Sequence, residues 1–94
     1  MSEHKFNDNT VLDLALGYRF QWEPAQNCHV LLYPEGMVKL NPAAAEIIKR
    51  ISERELTVGE LIADLKAAFD GADLDDDVYQ FLEEAHDNDW IRTK

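Results

Sequence analysis

Cysteine is almost missing: Cys28 stands alone in 94 residues. An intramolecular disulfide and a thiolate metal cage are therefore excluded, which fits a reducing compartment. Cations are scarce too, nine Lys and Arg against nineteen Asp and Glu, for a formal charge of −10. Such a surface repels phosphate backbones and anionic membranes, so neither nucleic acid nor membrane is expected as a partner. The four glycines are scattered and leave no phosphate-cradling loop. No apolar run approaches the roughly 20 residues that cross a bilayer. The polar start, MSEHKFNDNT, lacks the hydrophobic stretch of a signal peptide, and a cytoplasmic location is expected. What is present is 46% hydrophobic content over a length that supports one small core.

The opening stretch has no periodicity, and residues 1–15 are expected to be a flexible N-terminal arm ahead of a single domain over 16–94. From Gly17 the pattern turns to period two, with Tyr18, Phe20 and Trp22 on one side and Arg19, Gln21 and Glu23 on the other. That alternation predicts a half-buried strand. Pro24-Ala25-Gln26-Asn27 reads as a turn, and Cys28–Tyr33, apolar on both faces, as a central strand. Pro34-Glu35-Gly36 then predicts a three-residue hairpin connection with a bulge, leading into a short third strand over Met37–Leu40.

Beyond Leu40 the period changes to that of helices. Asn41 is a good N-cap and Pro42 suits the first helical position, with Ala44, Ile47, Ile48 and Ile51 at helical spacing. Thr57 and Glu60 form a capping box ahead of the stripe Val58, Leu61, Ile62, Leu65 and Phe69. Gly71 breaks that helix. Asp75, Asp76 and Asp77 sit where a helix dipole favours negative charge, ahead of Val78, Phe81, Leu82 and Ala85. Trp90-Ile91 is expected to fold back on the core. The order predicts an α+β fold, a three-stranded antiparallel sheet followed by three helices, winged-helix-like.

Enzymatic signals are weak, and no catalytic residue, metal or cofactor is expected. His4, His29 and His86 show no ligand spacing. Cys28 and His29 are neighbours on a strand, so they point to opposite faces and cannot act as nucleophile and base. Asp73, Asp75, Asp77 and Glu84 mimic a calcium loop, but the position that needs Gly holds Val78. The third helix offers Gln80 and Asn88 but no Lys or Arg, which argues against a recognition helix for DNA.

A binding module remains. The strand over Met37–Leu40 is short, carries one lysine, and runs straight into a helix start, so it reads as a sheet edge. An open edge offers unpaired N–H and C=O groups to an extended chain, and a neighbouring helix supplies side-chain pockets. On this reading a proline at Val38 would remove an edge N–H and weaken peptide binding. Val38, Leu40, Phe81 and Leu82 also read as core, and a groove floor can be both.

Three blocks carry a family resemblance: Gly17-Tyr18-Arg19-Phe20-Gln21-Trp22-Glu23, His29-Val30-Leu31-Leu32-Tyr33-Pro34-Glu35-Gly36-Met37, and Leu40-Asn41 with Ala44-Ala45. With Asp76-Asp77-Val78, Phe81-Leu82 and Trp90-Ile91, they span about four-fifths of the chain. The sequence resembles the PqqD family of pyrroloquinoline quinone (PQQ) biosynthesis, whose fold recurs as the recognition element of other peptide-modifying systems. The resemblance implies a peptide chaperone that binds the ribosomal precursor peptide PqqA and presents it to the radical SAM enzyme PqqE. It further implies that the peptide adds to the third strand, at Met37, Val38, Lys39 and Leu40. On the third helix it implies contacts with Val78, Tyr79, Leu82, Ala85 and His86. Two alternatives stay open: a leader-recognition domain of another peptide pathway, and an enzyme-docking subunit that does not bind peptide.

Overall fold

The computed structural model describes residues 6–71 and 73–93. Its first element is a strand where an arm was expected. β1 (Val11–Leu14) is followed by β2 (Arg19–Glu23), β3 (Cys28–Tyr33), β4 (Gly36–Lys39) and α1 (Pro42–Glu53). Then come β5 (Leu56–Thr57), α2 (Val58–Ala68), α3 (Asp75–Asp87) and β6 (Ile91–Thr93). Two antiparallel sheets form, with strand orders β5-β1-β6 and β2-β3-β4. The fold is α+β, as expected, with a second three-stranded sheet that the sequence did not announce.

That sheet corrects the boundary of the arm. Leu12 and Phe6 are both buried in the main core. The N–H groups of Val58 and Gly59, in the first turn of α2, donate to the carbonyls of Thr10 and Asp8, each at 2.9 Å. First-turn amides have no partner within their own helix, so this segment satisfies groups that would otherwise need water. From Phe6 onward the chain is part of the domain. Residues 1–5 of the expected arm lie outside the described residues.

The meander forms in the expected order, with β3 central. Phe20 stacks on His29 with ring centroids 4.8 Å apart, and Tyr18 stacks on Tyr33 at 5.3 Å. Trp22, at the end of the same face, stays half exposed. The hairpin is shorter than predicted. Gly36, with an extended φ of 158°, already pairs with Tyr33, so the connection is Pro34-Glu35.

The helix boundaries follow local chemistry. The Asn41 side chain accepts from the Ala44 N–H at 2.8 Å, and Pro42 takes the first helical position. Thr57 and Glu60 complete both halves of the capping box. α2 stops at Ala68, and Asp70 and Gly71 follow at φ 59° and 76°. Two consecutive left-handed residues end a right-handed helix, and Gly takes the second without a side-chain clash. Val78 lies inside α3 and is buried, so the aspartates before it begin a helix and do not wrap an ion. Helix α1 packs on both sheets, and Ile48, Ile51, Leu31, Leu61, Leu65 and Leu82 fill the space between elements. Ile91 is buried within β6, so the expected fold-back of the chain takes the form of a strand.

Candidate functional site

Among the described residues β4 has a strand partner on one side only, so its other side is an open edge. β2, the opposite edge strand, is in contact with α1. The Leu40 N–H donates to the His29 carbonyl at 3.0 Å, which sets the phase of the β3–β4 ladder. Bonded and non-bonded pairs alternate along an antiparallel ladder. His29–Leu40, Leu31–Val38 and Tyr33–Gly36 are the bonded pairs, and the backbone groups of Met37 and Lys39 point outward to the open edge. This corrects the expectation for Val38, whose N–H points into the sheet. The proline test belongs at Met37.

Side chains alternate as well. Val38 shares a face with Leu31 and packs against the core, while Met37 and Lys39 share the outer face with Leu32 and Val30. Met37 is 43% exposed. Lys39 is exposed and forms no ion pair among the described residues. Leu40, just past the strand, is buried.

Where Leu40 hands over to α1, an apolar groove of about 300 Å³ opens. Ala43, Ala44 and Ile47 of α1 form one wall, and Leu65 and Phe69 at the end of α2 close it. Leu74, Val78 and Phe81, at the start of α3, form the facing wall, with Asn41 and Asp77 as the polar members. The space exists because the first turn of α1 is built from alanines, which hold helical geometry while filling little volume. Phe69, 46% exposed, was expected in the core stripe of α2 and sits at the rim.

The residues implied on α3 fall into three groups. Val78 lines the groove. Leu82 and Ala85 are 0% exposed and belong to the core, so a peptide has no access to them while the core is closed. Tyr79 and His86 lie on the flank covered by the N-terminal segment. The Tyr79 hydroxyl donates to Asp8 Oδ1 at 2.6 Å, and the Phe6 ring meets His86 edge-on at 5.5 Å. Burial, reinforced by the bond to Asp8, pushes the Tyr79 phenol up to about 12. On α3 and at its N-cap, the groove residues that the resemblance missed are Leu74, Asp77 and Phe81, and on α1 and α2 it missed the whole wall. Leu74, Val78 and Phe81 stand at i, i+4 and i+7, the spacing of one helical face, and that was the available signal.

The histidine and cysteine chemistry stays apart from this groove. His29 is held between Phe20 and Trp22, the latter edge-on at 5.1 Å. Among the described residues no group of three His, Cys, Asp or Glu is gathered to hold a metal ion, and no helix is long and apolar enough to cross a membrane.

Residues 28–91 match the family model for coenzyme PQQ synthesis protein D, PqqD. The chain belongs to the PqqD family. A relative from Azotobacter vinelandii (strain DJ), named PqqA binding protein, is 49% identical over 92 residues, 97% of each chain. Another of the same name, from Stutzerimonas stutzeri (strain A1501), is 51% identical over 79 residues, 83% of this chain and 85% of that one. The solution structure of the PqqD truncation of Methylobacterium extorquens PqqCD is described as a stand-alone recognition element for ribosomally synthesised, modified peptides. It matches with a TM-score of 0.76 at 25% identity, over 98% of this chain and 99% of that one. The PqqD family match takes in β3, β4 and all three helices, and with them every residue of the edge and groove.

Proposed function

We propose that this PqqD-family chain binds the precursor peptide PqqA by strand addition along β4 and presents it to the radical SAM enzyme PqqE in PQQ biosynthesis. The observation that carries the reading is the outward backbone of Met37 and Lys39, two residues ahead of the apolar groove that opens at Asn41. The names of the relatives, at about half identity, support PqqA as the peptide. Main-chain bonds to Met37 and Lys39 supply sequence-tolerant affinity, and the groove takes the peptide's inward side chains. Val38 and Leu40 back the edge. Ile47, Phe69, Leu74, Val78 and Phe81 contact the peptide, while Tyr79, Leu82, Ala85 and His86 hold α3 in place. Fixing the peptide in one register raises the effective concentration of its reacting segment at the enzyme, and no chemistry is asked of this protein.

The test is a titration of isotope-labelled protein with synthetic PqqA. Amide shifts should gather on residues 37–41 and 74–81. Met37→Pro removes one outward N–H and leaves the β3–β4 bonds intact, so a folded variant should bind about tenfold more weakly, the worth of a lost hydrogen bond. Unchanged affinity in that folded variant places the peptide elsewhere. Added PqqE should leave the peptide shifts in place, and displacement of the peptide by PqqE would refute presentation.

A further inference from the structure

Four of the cations on the described residues are committed: Arg50 to Glu46, Arg54 to Asp64, Lys66 to Asp75 and Arg92 to Asp13. Lys39 is not, and it occupies the open edge itself. Its partner across the ladder is Val30, which puts its side chain on the outer face of the sheet, away from the groove. Arg19 is exposed on β2, the far edge strand, two strand spacings or about 10 Å from β4. Lys49, the remaining cation without an ion pair among the described residues, is exposed on α1, so of the three only Lys39 lies on β4, where a new strand would add.

We infer that Lys39 selects the peptide's register by pairing with a carboxylate on its outward face. The inference rests on strand addition at β4 and goes beyond it by naming the side-chain chemistry that is read. An added strand points alternate residues inward and outward. Its inward residues meet Val38 and the groove. Its outward residues lie beside Met37 and Lys39, where an opposite charge directly across is favourable and a like charge is not. A one-residue slip exchanges the two sets, taking apolar side chains out of the groove and the carboxylate off Lys39. The two readouts therefore demand the same register. They specify a peptide with an Asp or Glu directly between two apolar residues. In a chain of formal charge −10, one cation at the edge also lets an acidic peptide approach a surface that otherwise repels it.

A lysine on an edge strand has an ordinary use, which is to discourage edge-to-edge self-association. That use does not make peptide affinity depend on one particular carboxylate, and the experiment turns on this difference. Synthetic PqqA, and a set in which each Asp or Glu is changed singly to Asn or Gln, are titrated into wild type, Lys39→Gln and Lys39→Glu. Amide shifts on Met37 are followed throughout. Lys39→Gln should weaken binding about two- to fivefold, as for an exposed pair, and Lys39→Glu by about tenfold. One amide-substituted peptide should show the Lys39→Gln loss with wild type and no further loss with Lys39→Gln, the mark of a coupled pair. A peptide with Lys at that position should bind Lys39→Glu better than it binds wild type. Equal affinities across the Lys39 variants, with Met37 shifts retained, overturn the register role and leave strand addition standing. Absence of Met37 shifts in wild type removes strand addition and this inference together.

Discussion

Phe81 and Leu82 are neighbours in α3 with different duties. Leu82 is fully buried, whereas Phe81 is partly exposed and lines the groove. Leu82→Ala should cost about 2–5 kcal/mol of stability through the cavity it leaves, measured by chemical denaturation. Phe81→Ala should leave the fold intact, with the smaller stability change of a half-buried position, and weaken PqqA binding in a titration. Equal loss of affinity in a folded Leu82→Ala would mean that the core opens to admit the peptide. The sequence could not separate these two residues. The apolar stripe of α3 is wider than the core needs, and nothing in residue type marks where core ends and groove begins. Val38 was misread for a similar reason. Whether an edge residue points its N–H in or out depends on ladder phase, which the Leu40–His29 bond reveals and composition does not.

Among the elements, those with short-range chemistry were legible and those with long-range partners were not. Asn41-Pro42 and Thr57–Glu60 each place a helix start within four residues, and both caps form. β1 carries only Val11-Leu12-Asp13-Leu14, and its partners are Leu56-Thr57 and Ile91–Thr93, far along the chain. No local signal announces such a strand. The N-terminal segment in turn holds the outer flank of α3 through Asp8 and Phe6. Tyr79 sits at about 12, above the ordinary 10.0, because burial and Asp8 favour the neutral phenol. A raised value stabilises the folded form fully below pH 10 and loses that contribution as pH climbs toward 12. Alkaline titration should therefore release the segment in that window, seen as a rise in phenolate absorbance together with faster exchange at residues 6–10. Tyr79→Phe should remove the Tyr79 part of the absorbance change, and persistence of that part would assign it to Tyr18, whose phenol is also pushed up by burial.

For the whole molecule the decisive strand is β1, because it is the middle member of the sheet that joins both ends of the described chain. Leu12→Ala should lower stability by about 2–5 kcal/mol, as at any fully buried leucine. The same change in a mobile arm would register within about 0.5 kcal/mol, and a result that small would return residues 11–14 to the arm. Denaturant melts of the two proteins decide between these values.

The two sheets also differ in how far the chain must search to close them. β2, β3 and β4 pair through turns of a few residues, while Asp13 and Arg92, which face each other across β1 and β6, are separated by 79 positions. Loop-closure entropy grows with that separation, and folding slows as non-local contacts dominate. The open edge at Met37–Lys39 is therefore expected among the fast-forming hairpins, and the closing of β1 against β6 is expected as the slower event, an order that pulsed hydrogen exchange during refolding checks. During synthesis residues 36–39 emerge before Ile91, so Leu14 lacks its β6 partner for that interval, and a nascent chain that has already paired β3 with β4 exposes both a template for strands and an unfilled core.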